Sequence, residues 1–387
     1  MQSGVETNKG EFDVLVVGGG IIGLSIAREL RKQGAKRITV VERGTIGKEA
    51  SYAAAGMLAP QAESDRNDAF FQFCFQSNQL FPQFAQELLE ETGIDIELNR
   101  QGTLYLAFNE KAEADIRRRY EWQRRAALRV ELLTASQIAD LEPFVSTNVR
   151  SGILFPDDGH VENRLLLAAL RKFAEIHSIS LIENQPVRNI LRRGDRVIGI
   201  ESAAGHVFAN TVVLATGAWT SLIEIDGRPL LIKVRPVRGQ MICFAATPGF
   251  FKHVIYGSDV YLVPRADGRI LVGATVEETG FENIVTTEAV EMLSRAACET
   301  ASEIAKLEMI DSWSGLRPCS PDGFPVLGEI DELKNLHLAT AHYRNGILLA
   351  PLTAKIIAAS ITHRSSSIYL DHFAACRFSS ATVAGNY

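Results

Sequence analysis

The stretch Asp13-Val-Leu-Val-Val-Gly-Gly-Gly-Ile-Ile-Gly23, continued by helically spaced residues 24–33 and then by Arg37-Ile-Thr-Val-Val-Glu42, decides the fold class. The short run of β-branched and leucine residues reads as a buried strand, the glycines as a tight turn and the next segment as a helix. A second strand then ends in an acid, Glu42, 22 residues beyond Gly20. Gly18 permits the turn, Gly20 lets a pyrophosphate approach the backbone, and Gly23 lets helix and strand pack closely. The helix opened by Ile21 and Ile22 supplies amide donors and partial positive charge at its start. Glu42 suits a ribose diol, and its charge repels a 2′-phosphate. Arg43 beside it hints at a 2′-phosphate site, against the simpler reading of a solvated charge at a strand end. The fingerprint alone leaves NAD and FAD open.

The remaining composition narrows the class. A chain of 387 residues holds two domains or one elaborate one. With 46% apolar and 22% charged residues it is neither disordered, collagen-like nor a disulfide scaffold. A net charge of −6 argues against nucleic acid or an anionic membrane as the main partner. The Arg-rich run 110–128 is diluted by Glu110, Glu113, Asp115 and Glu121, and reads as a solvated helix face. Five scattered cysteines with no C-x-x-C spacing point to a reducing cytoplasm. The polar stretch 1–13 does not read as a secretory signal. The apolar stretch 346–361 is broken by Pro351, Thr353 and Lys355, so no membrane span is expected. The histidines are isolated, and no metal site is expected.

Nucleotide-domain material recurs far downstream. Thr211-Val-Val-Leu-Ala-Thr-Gly-Ala-Trp219 reads as a buried strand entering a small-residue turn. Before it, 165–176 has amphipathic helical spacing, 180–184 and 186–190 read as strands, and 196–201 with 206–208 suggest a hairpin turning at 202–205. That discontinuity favours FAD, because an NAD domain more often shows its two halves adjacent. The intervening chain adds a helix at 70–92, a strand at 102–108, and strands at 241–244, 260–264 and 270–275 around the turn Ala266-Asp-Gly268.

Six pieces, taken in order, carry a resemblance: 16–23, Ala53-Ala-Ala-Gly-Met-Leu58, Tyr261-Leu-Val-Pro-Arg265, Gly268-Arg-Ile-Leu-Val-Gly-Ala-Thr275, Gly315-Leu-Arg-Pro318 and His342-Tyr-Arg-Asn-Gly-Ile-Leu-Leu-Ala-Pro351. Together they resemble the D-amino acid oxidase-type FAD flavoproteins, and within these the glycine oxidase branch of thiamine biosynthesis. The resemblance implies an α/β fold: a Rossmann-like FAD-binding domain from 11–85, 147–230 and 318–375, and an α+β substrate domain of mixed antiparallel sheet from 86–146 and 231–317. Residues 376–387 form a C-terminal tail. It further implies cofactor contacts at Gly18, Gly20, Ile21, Ile22, Gly23, Glu42, Arg43, Ser51, Ala55, Gly56, Met57, Val187, Thr216 and Gly217. The run His342, Tyr343, Arg344, Asn345, Gly346, Ile347 and Leu348 completes that set. FAD is expected to be non-covalent, since Cys319 does not sit where covalently flavinylated relatives carry their cysteine.

By the same resemblance Arg317 and Tyr261 are the catalytic anchors of a substrate carboxylate, with Tyr256, Met57 and Arg344 also on the substrate side. A bidentate guanidinium suits that task. The implied reaction is oxidative deamination of glycine or a similarly small amine, such as sarcosine or a small D-amino acid, by hydride transfer to FAD. Its products are a 2-oxo acid, ammonia and hydrogen peroxide, with the glycine imine serving thiazole synthesis. His342 is not required as a base, because a neutral amine needs only positioning. The alternatives are a dehydrogenase on the same scaffold that passes electrons to a quinone or partner, and a flavin-bearing subunit of a hetero-oligomeric amine oxidase. Relatives of this architecture are often tetramers, so a homo-oligomer is expected. Glu49, Tyr52, Asp259 and Val276 depart from the family pattern around the pocket.

Overall fold

The strand Phe12–Val17 sits inside a ten-stranded sheet, paired in parallel with Ile38–Val41 on one side and Gly205–Leu214 on the other. Leu333–Thr340 continues the parallel order beside Gly205–Leu214, and Ser180–Ile182 beside Ile38–Val41. This computed structural model describes residues 12–230, 232–257 and 259–382. The polar N-terminus before residue 12 and the end of the tail, 383–387, lie outside them.

The apolar runs follow from burial on both faces, which removes the polar alternation of a one-sided sheet. Val14, Val16, Val40 and Val213 point into one core, while Leu15, Val17, Val41, Val212 and Leu214 point into another. Helices cover the first face: Ile21–Lys32, Ala69–Thr92, Asn163–Ile176 and Gly346–His363. The Asp68 carboxylate accepts from Phe71 N at 2.8 Å and starts the helix expected at 70–92, and Gly93, at φ 74°, ends it. Gly346–His363 is the one helix among the described residues long and apolar enough to cross a membrane. Here it is a core helix against Ile21–Lys32 and Ala69–Thr92, and the Ser77 hydroxyl donates to Leu348 O at 2.6 Å.

A second, eight-stranded sheet runs in the order Glu308–Cys319, Arg235–Ala245, Arg269–Gly273, Tyr261–Pro264, Val254–Tyr256, Thr103–Ala107, Ser151–Phe155 and Glu131–Thr134. The turn expected at 266–268 closes its hairpin, with Gly268 N donating to Arg265 O at 3.0 Å.

Two local expectations shift. Ser151–Phe155 pairs with Thr103–Ala107 in the eight-stranded sheet, so the chain rejoins the nucleotide sheet after 155 rather than at 147. Ile153 and Phe155, fully buried there, supply the reason. The segments 206–208 and 211–214 form one strand, Gly205–Leu214, which passes from an antiparallel hairpin into the parallel sheet. Arg317 lies inside the twelve-residue strand Glu308–Cys319. That strand is an edge of its sheet, where a proline such as Pro318 forfeits no needed hydrogen bond.

The Arg-rich helix Glu110–Arg125 turns Arg117, Arg118, Arg124 and Arg125 to solvent, and acids on the same helix dilute their charge. Arg118 pairs with Asp115 at 2.5 Å and Arg125 with Glu121 at 3.4 Å. Arg119 turns inward to the carbonyls of Ala62 and Ser64, and Trp122 packs edge-on against Phe71 at 5.1 Å.

Candidate active site

A cavity of about 740 Å³ lies where residues of the two sheets meet. Its lining includes the glycine turn, the end of the second strand and the arginine expected to anchor substrate. The turn works by closeness. Gly18 has φ 109°, and a Cβ there would stand 2.3 Å from Ala215 O; one on Gly23 would stand 1.9 Å from Gly18 O. Gly20 starts the helix Ile21–Lys32 with no side-chain cap. Ser51 Oγ takes the Ile21 N–H at 3.0 Å, and the other early amides have no intrahelical partner. Glu42 is buried and held from both sides: Oε2 accepts from Gly19 N at 2.8 Å and Oε1 from Gly44 N at 2.9 Å. This donor and acceptor set fits FAD, with the glycine cradle for a pyrophosphate and Glu42 for a ribose.

Arg43 is not merely a solvated charge. Its guanidinium stacks 4.1 Å over the Trp219 ring and stands 3.9 Å from Glu49, and all three line the cavity. Burial raises the Glu49 carboxyl, against the pull of Arg43.

On the substrate side, two glycines make room for the two expected anchors. Arg317 faces Val237 across the sheet, and its guanidinium lies over Gly239, where a Cβ would meet Nη2 at 2.1 Å. Its Nη1 donates to Thr275 O at 3.0 Å, and among the described residues it has no carboxylate partner. Tyr261 faces Gly273, where a Cβ would meet its hydroxyl at 2.6 Å. That hydroxyl donates to the weak acceptor Met241 Sδ at 4.0 Å. Burial raises the Tyr261 phenol, while the guanidiniums of Arg317 and Arg344 oppose the shift.

Met57, Arg344 and Glu63 line the same cavity. Tyr256 does not: it stands behind Glu63, to which it donates at 2.7 Å, with its hydroxyl 3.6 Å from Met57 Sδ. Its hydroxyl is therefore committed to a carboxylate rather than open to a ligand, and burial first, then Glu63, pushes its phenol well up. Asp259 and Val276 also lie off the lining, Val276 being 59% exposed.

The remaining expected contacts mostly meet at this cavity. Ala55, Gly56, Val187, Thr216, Gly217, His342, Tyr343, Asn345, Gly346 and Ile347 line it. Leu348 does not; its side chain is buried in the helical core, because it falls on the inner face of the helix that Gly346 opens. Gly23 likewise stays behind the lining, serving the close approach to Gly18. His342 is buried, shares a 3.1 Å hydrogen bond between Nε2 and Thr353 Oγ1, and is pushed down by burial to about 3. Cys319 is buried off the lining, its thiol donating to Ser320 O at 3.3 Å.

Sequence reasoning missed Glu63, Trp219 and Gly239. An isolated glycine inside the strand run 235–245 was the available signal for the last, since such a glycine marks close approach of another group. Nothing local marks Glu63, whose partners are 193 and 281 residues away.

Comparison with known proteins agrees with this geometry. The sequence profile of the FAD dependent oxidoreductase family, DAO, matches residues 13–360. The chain is 35% identical over 360 residues to glycine oxidase of Pseudomonas aeruginosa, covering 92% of this chain and 96% of that protein. It is 34% identical over 370 residues to the bifunctional protein ThiO/ThiG of Trichormus variabilis, covering 95% of this chain and 55% of that longer one. The crystal structure of glycine oxidase from Geobacillus kaustophilus matches with a TM-score of 0.89 at 34% identity, covering 95% of this chain and 98% of that one. With a glycine cradle, a clamped acid and a guanidinium sharing one cavity, and with that match over most of its length, the chain belongs to the DAO family of FAD-dependent oxidoreductases.

Proposed function

We propose that this protein oxidises glycine, or a similarly small amine or amino acid such as sarcosine or a small D-amino acid, with O₂ as electron acceptor. The observation that carries the reading is Arg317: a guanidinium with no carboxylate partner among the described residues, seated over Gly239 in the same cavity as the Glu42 cradle. A half-buried cation with no carboxylate partner asks for an anion, and its planar fork matches a carboxylate.

Bound FAD would supply the hydride acceptor for the carbon that bears the amine, with O₂ as the final electron acceptor and hydrogen peroxide as its product. Gly18, Gly20 and the start of the helix Ile21–Lys32 would hold its phosphates, and Glu42 would hold its ribose. Non-covalent binding is supported by Cys319, which lies off the cavity lining. Arg317 and the Tyr261 hydroxyl fix the carboxylate and so orient the reacting carbon, an effect of position rather than of acid–base chemistry. Met57 and Met241 line the same cavity and keep water from the reacting groups. His342 moves no proton, being neutral well below physiological pH. The imine product hydrolyses to glyoxylate and ammonia when glycine is the substrate.

Supply of that imine for the thiazole ring of thiamine belongs to the same proposal, supported by the similarity to ThiO/ThiG. So do a cytoplasmic location, supported by five cysteines in the free form, and a homo-oligomer. The FAD-binding domain is proposed to comprise 11–85, 147–230 and 318–375, adjusted by the placement of Ser151–Phe155 in the other sheet.

The test is a peroxide assay of the purified protein on glycine, sarcosine, D-alanine and D-proline, with wild type and Arg317→Ala. A charged hydrogen bond contributes about 1.5–3 kcal/mol, so the variant should lose about 10–100-fold in kcat/KM. A change under about twofold would remove Arg317 from the role.

A further inference from the structure

Of the arginines that line the cavity, Arg317 and Arg344 are the two that act on Tyr261, and of these only Arg317 has no carboxylate partner among the described residues. Arg344 reaches Glu63 at 3.2 Å, and Glu63 is only 15% exposed. The same oxygen, Glu63 Oε1, accepts the Tyr256 hydroxyl at 2.7 Å. Tyr256 is itself fixed, stacked on Tyr105 with ring centres 5.5 Å apart. Arg317, by contrast, donates to the carbonyls of Thr275 and Arg238 and to no carboxylate among the described residues. Both line the cavity that Tyr261 lines, and Tyr256, which donates to Glu63, packs with its ring centre 5.9 Å from that of Tyr261.

We propose that Glu63 is a specificity-determining residue: by holding Arg344, it leaves one open cation for one carboxylate and repels a second acidic group. This rests on the reading that Arg317 anchors the substrate carboxylate. Two open arginines would favour dicarboxylates such as aspartate or iminodiacetate over glycine. Glu63 supplies the opposing element, a fixed negative charge where the second carboxylate would sit. Selection by a like charge is as effective as selection by a better contact. Tyr256 acts through Glu63, as a positioning residue that keeps the carboxylate turned to Arg344.

The test compares two unreactive anions, glycolate and malonate, on the FAD-loaded protein, with binding read from the perturbation of the flavin absorption spectrum. Wild type should bind glycolate more tightly than malonate. Glu63→Gln should shift the ratio of the two dissociation constants toward malonate by about 10-fold or more, the scale of one charge-assisted hydrogen bond. Glu63→Asp, which keeps the charge, should retain the glycolate preference. In turnover, the same Glu63→Gln change should raise kcat/KM for iminodiacetate relative to sarcosine, chiefly through KM. A measurement on wild type needs no variant: added salt should narrow the glycolate–malonate gap, because like-charge repulsion is screened. If both anions bind and their ratio is unmoved by Glu63→Gln, or by salt where that variant fails to fold, Glu63 does not select. If neither anion perturbs the flavin, the carboxylate reading of Arg317 is what fails.

Discussion

The guanidinium of Arg265 donates through Nη2 to the carbonyl of Ala55 at 2.8 Å, crossing from the end of the strand Tyr261–Pro264 to the segment that lines the cofactor cavity. Its Nη1 takes the Val161 carbonyl at 2.8 Å, and its Nε stands 3.1 Å from Glu162. The side chain is 1% exposed, and burial lowers its pKa to about 10, which leaves it protonated at neutral pH. Arg265→Met removes the tie and strands two carbonyls and part of the Glu162 charge. It should cost about 3 kcal/mol of unfolding free energy, near the lower end for breaking a buried pair, because Arg269 still reaches Glu162. Denaturant unfolding measures this, and FAD retained through gel filtration should fall in parallel. A loss under about 1 kcal/mol would show the tie to be energetically idle.

Gly239→Ala places a methyl group 2.1 Å from Arg317 Nη2 in a strand that cannot yield without its neighbours. The guanidinium must leave its seat. KM for the amino acid should rise by about 10-fold or more, the worth of a displaced charged hydrogen bond. FAD content should stay at the wild-type level, because the glycine turn is untouched. Steady-state kinetics with a flavin count separates the two effects, and an unchanged KM would place the anchor elsewhere.

Two buried, neutral histidines stay out of the pH profile of activity and shape that of stability. His342 and His160 are each held down to about 3 by burial, from an ordinary 6.5. In the active pH range neither ionises, so kcat/KM should rise with pH along the ionisation of the substrate amine. An inflection that stays put when glycine is replaced by an amine of different pKa would contradict this. The unfolded chain, however, protonates both rings below about 6.5, which the native state resists. Their contribution to stability is present above 6.5 and is lost as pH falls toward 3. Thermal melts across that window should show a declining Tm.

Arg28, 3% exposed, is packed between the Phe84 and Phe173 rings and reaches Glu87 at 2.8 Å and Glu91 at 2.7 Å, locking the helix Ile21–Lys32 to Ala69–Thr92. The Lys32 and Arg28 partners outweigh desolvation and lower the Glu87 carboxyl from 4.5 to about 2. A depressed carboxyl stabilises above its unfolded value, so the advantage of wild type over Glu87→Gln should be complete above pH 4.5 and should vanish as the pH approaches 2. Paired melts at several pH values follow the gap directly. A gap that persists at the acid end would mean that Glu87 works through packing, not charge.

What the sequence determined by itself was local and periodic. Residues 13–42 carry strand, turn, helix and terminal acid within one βαβ unit, so their spacing alone names a dinucleotide cradle, and the buried strand at 211–214 places its partner. The motif around Arg317 was legible as a carboxylate anchor only through resemblance, and its seat over Gly239 depended on a cross-strand register that no periodicity encodes. Tertiary structure alone decided that Tyr256 stands behind the cavity rather than in it, that Leu348 turns into the core, and that Ser151–Phe155 belongs to the eight-stranded sheet. It alone paired Glu63 with Arg344 across 281 residues. Hydrophobic period and turn chemistry act over a few residues, whereas the charge left open in a site is set by which distant groups the packed sheets bring within hydrogen-bond reach.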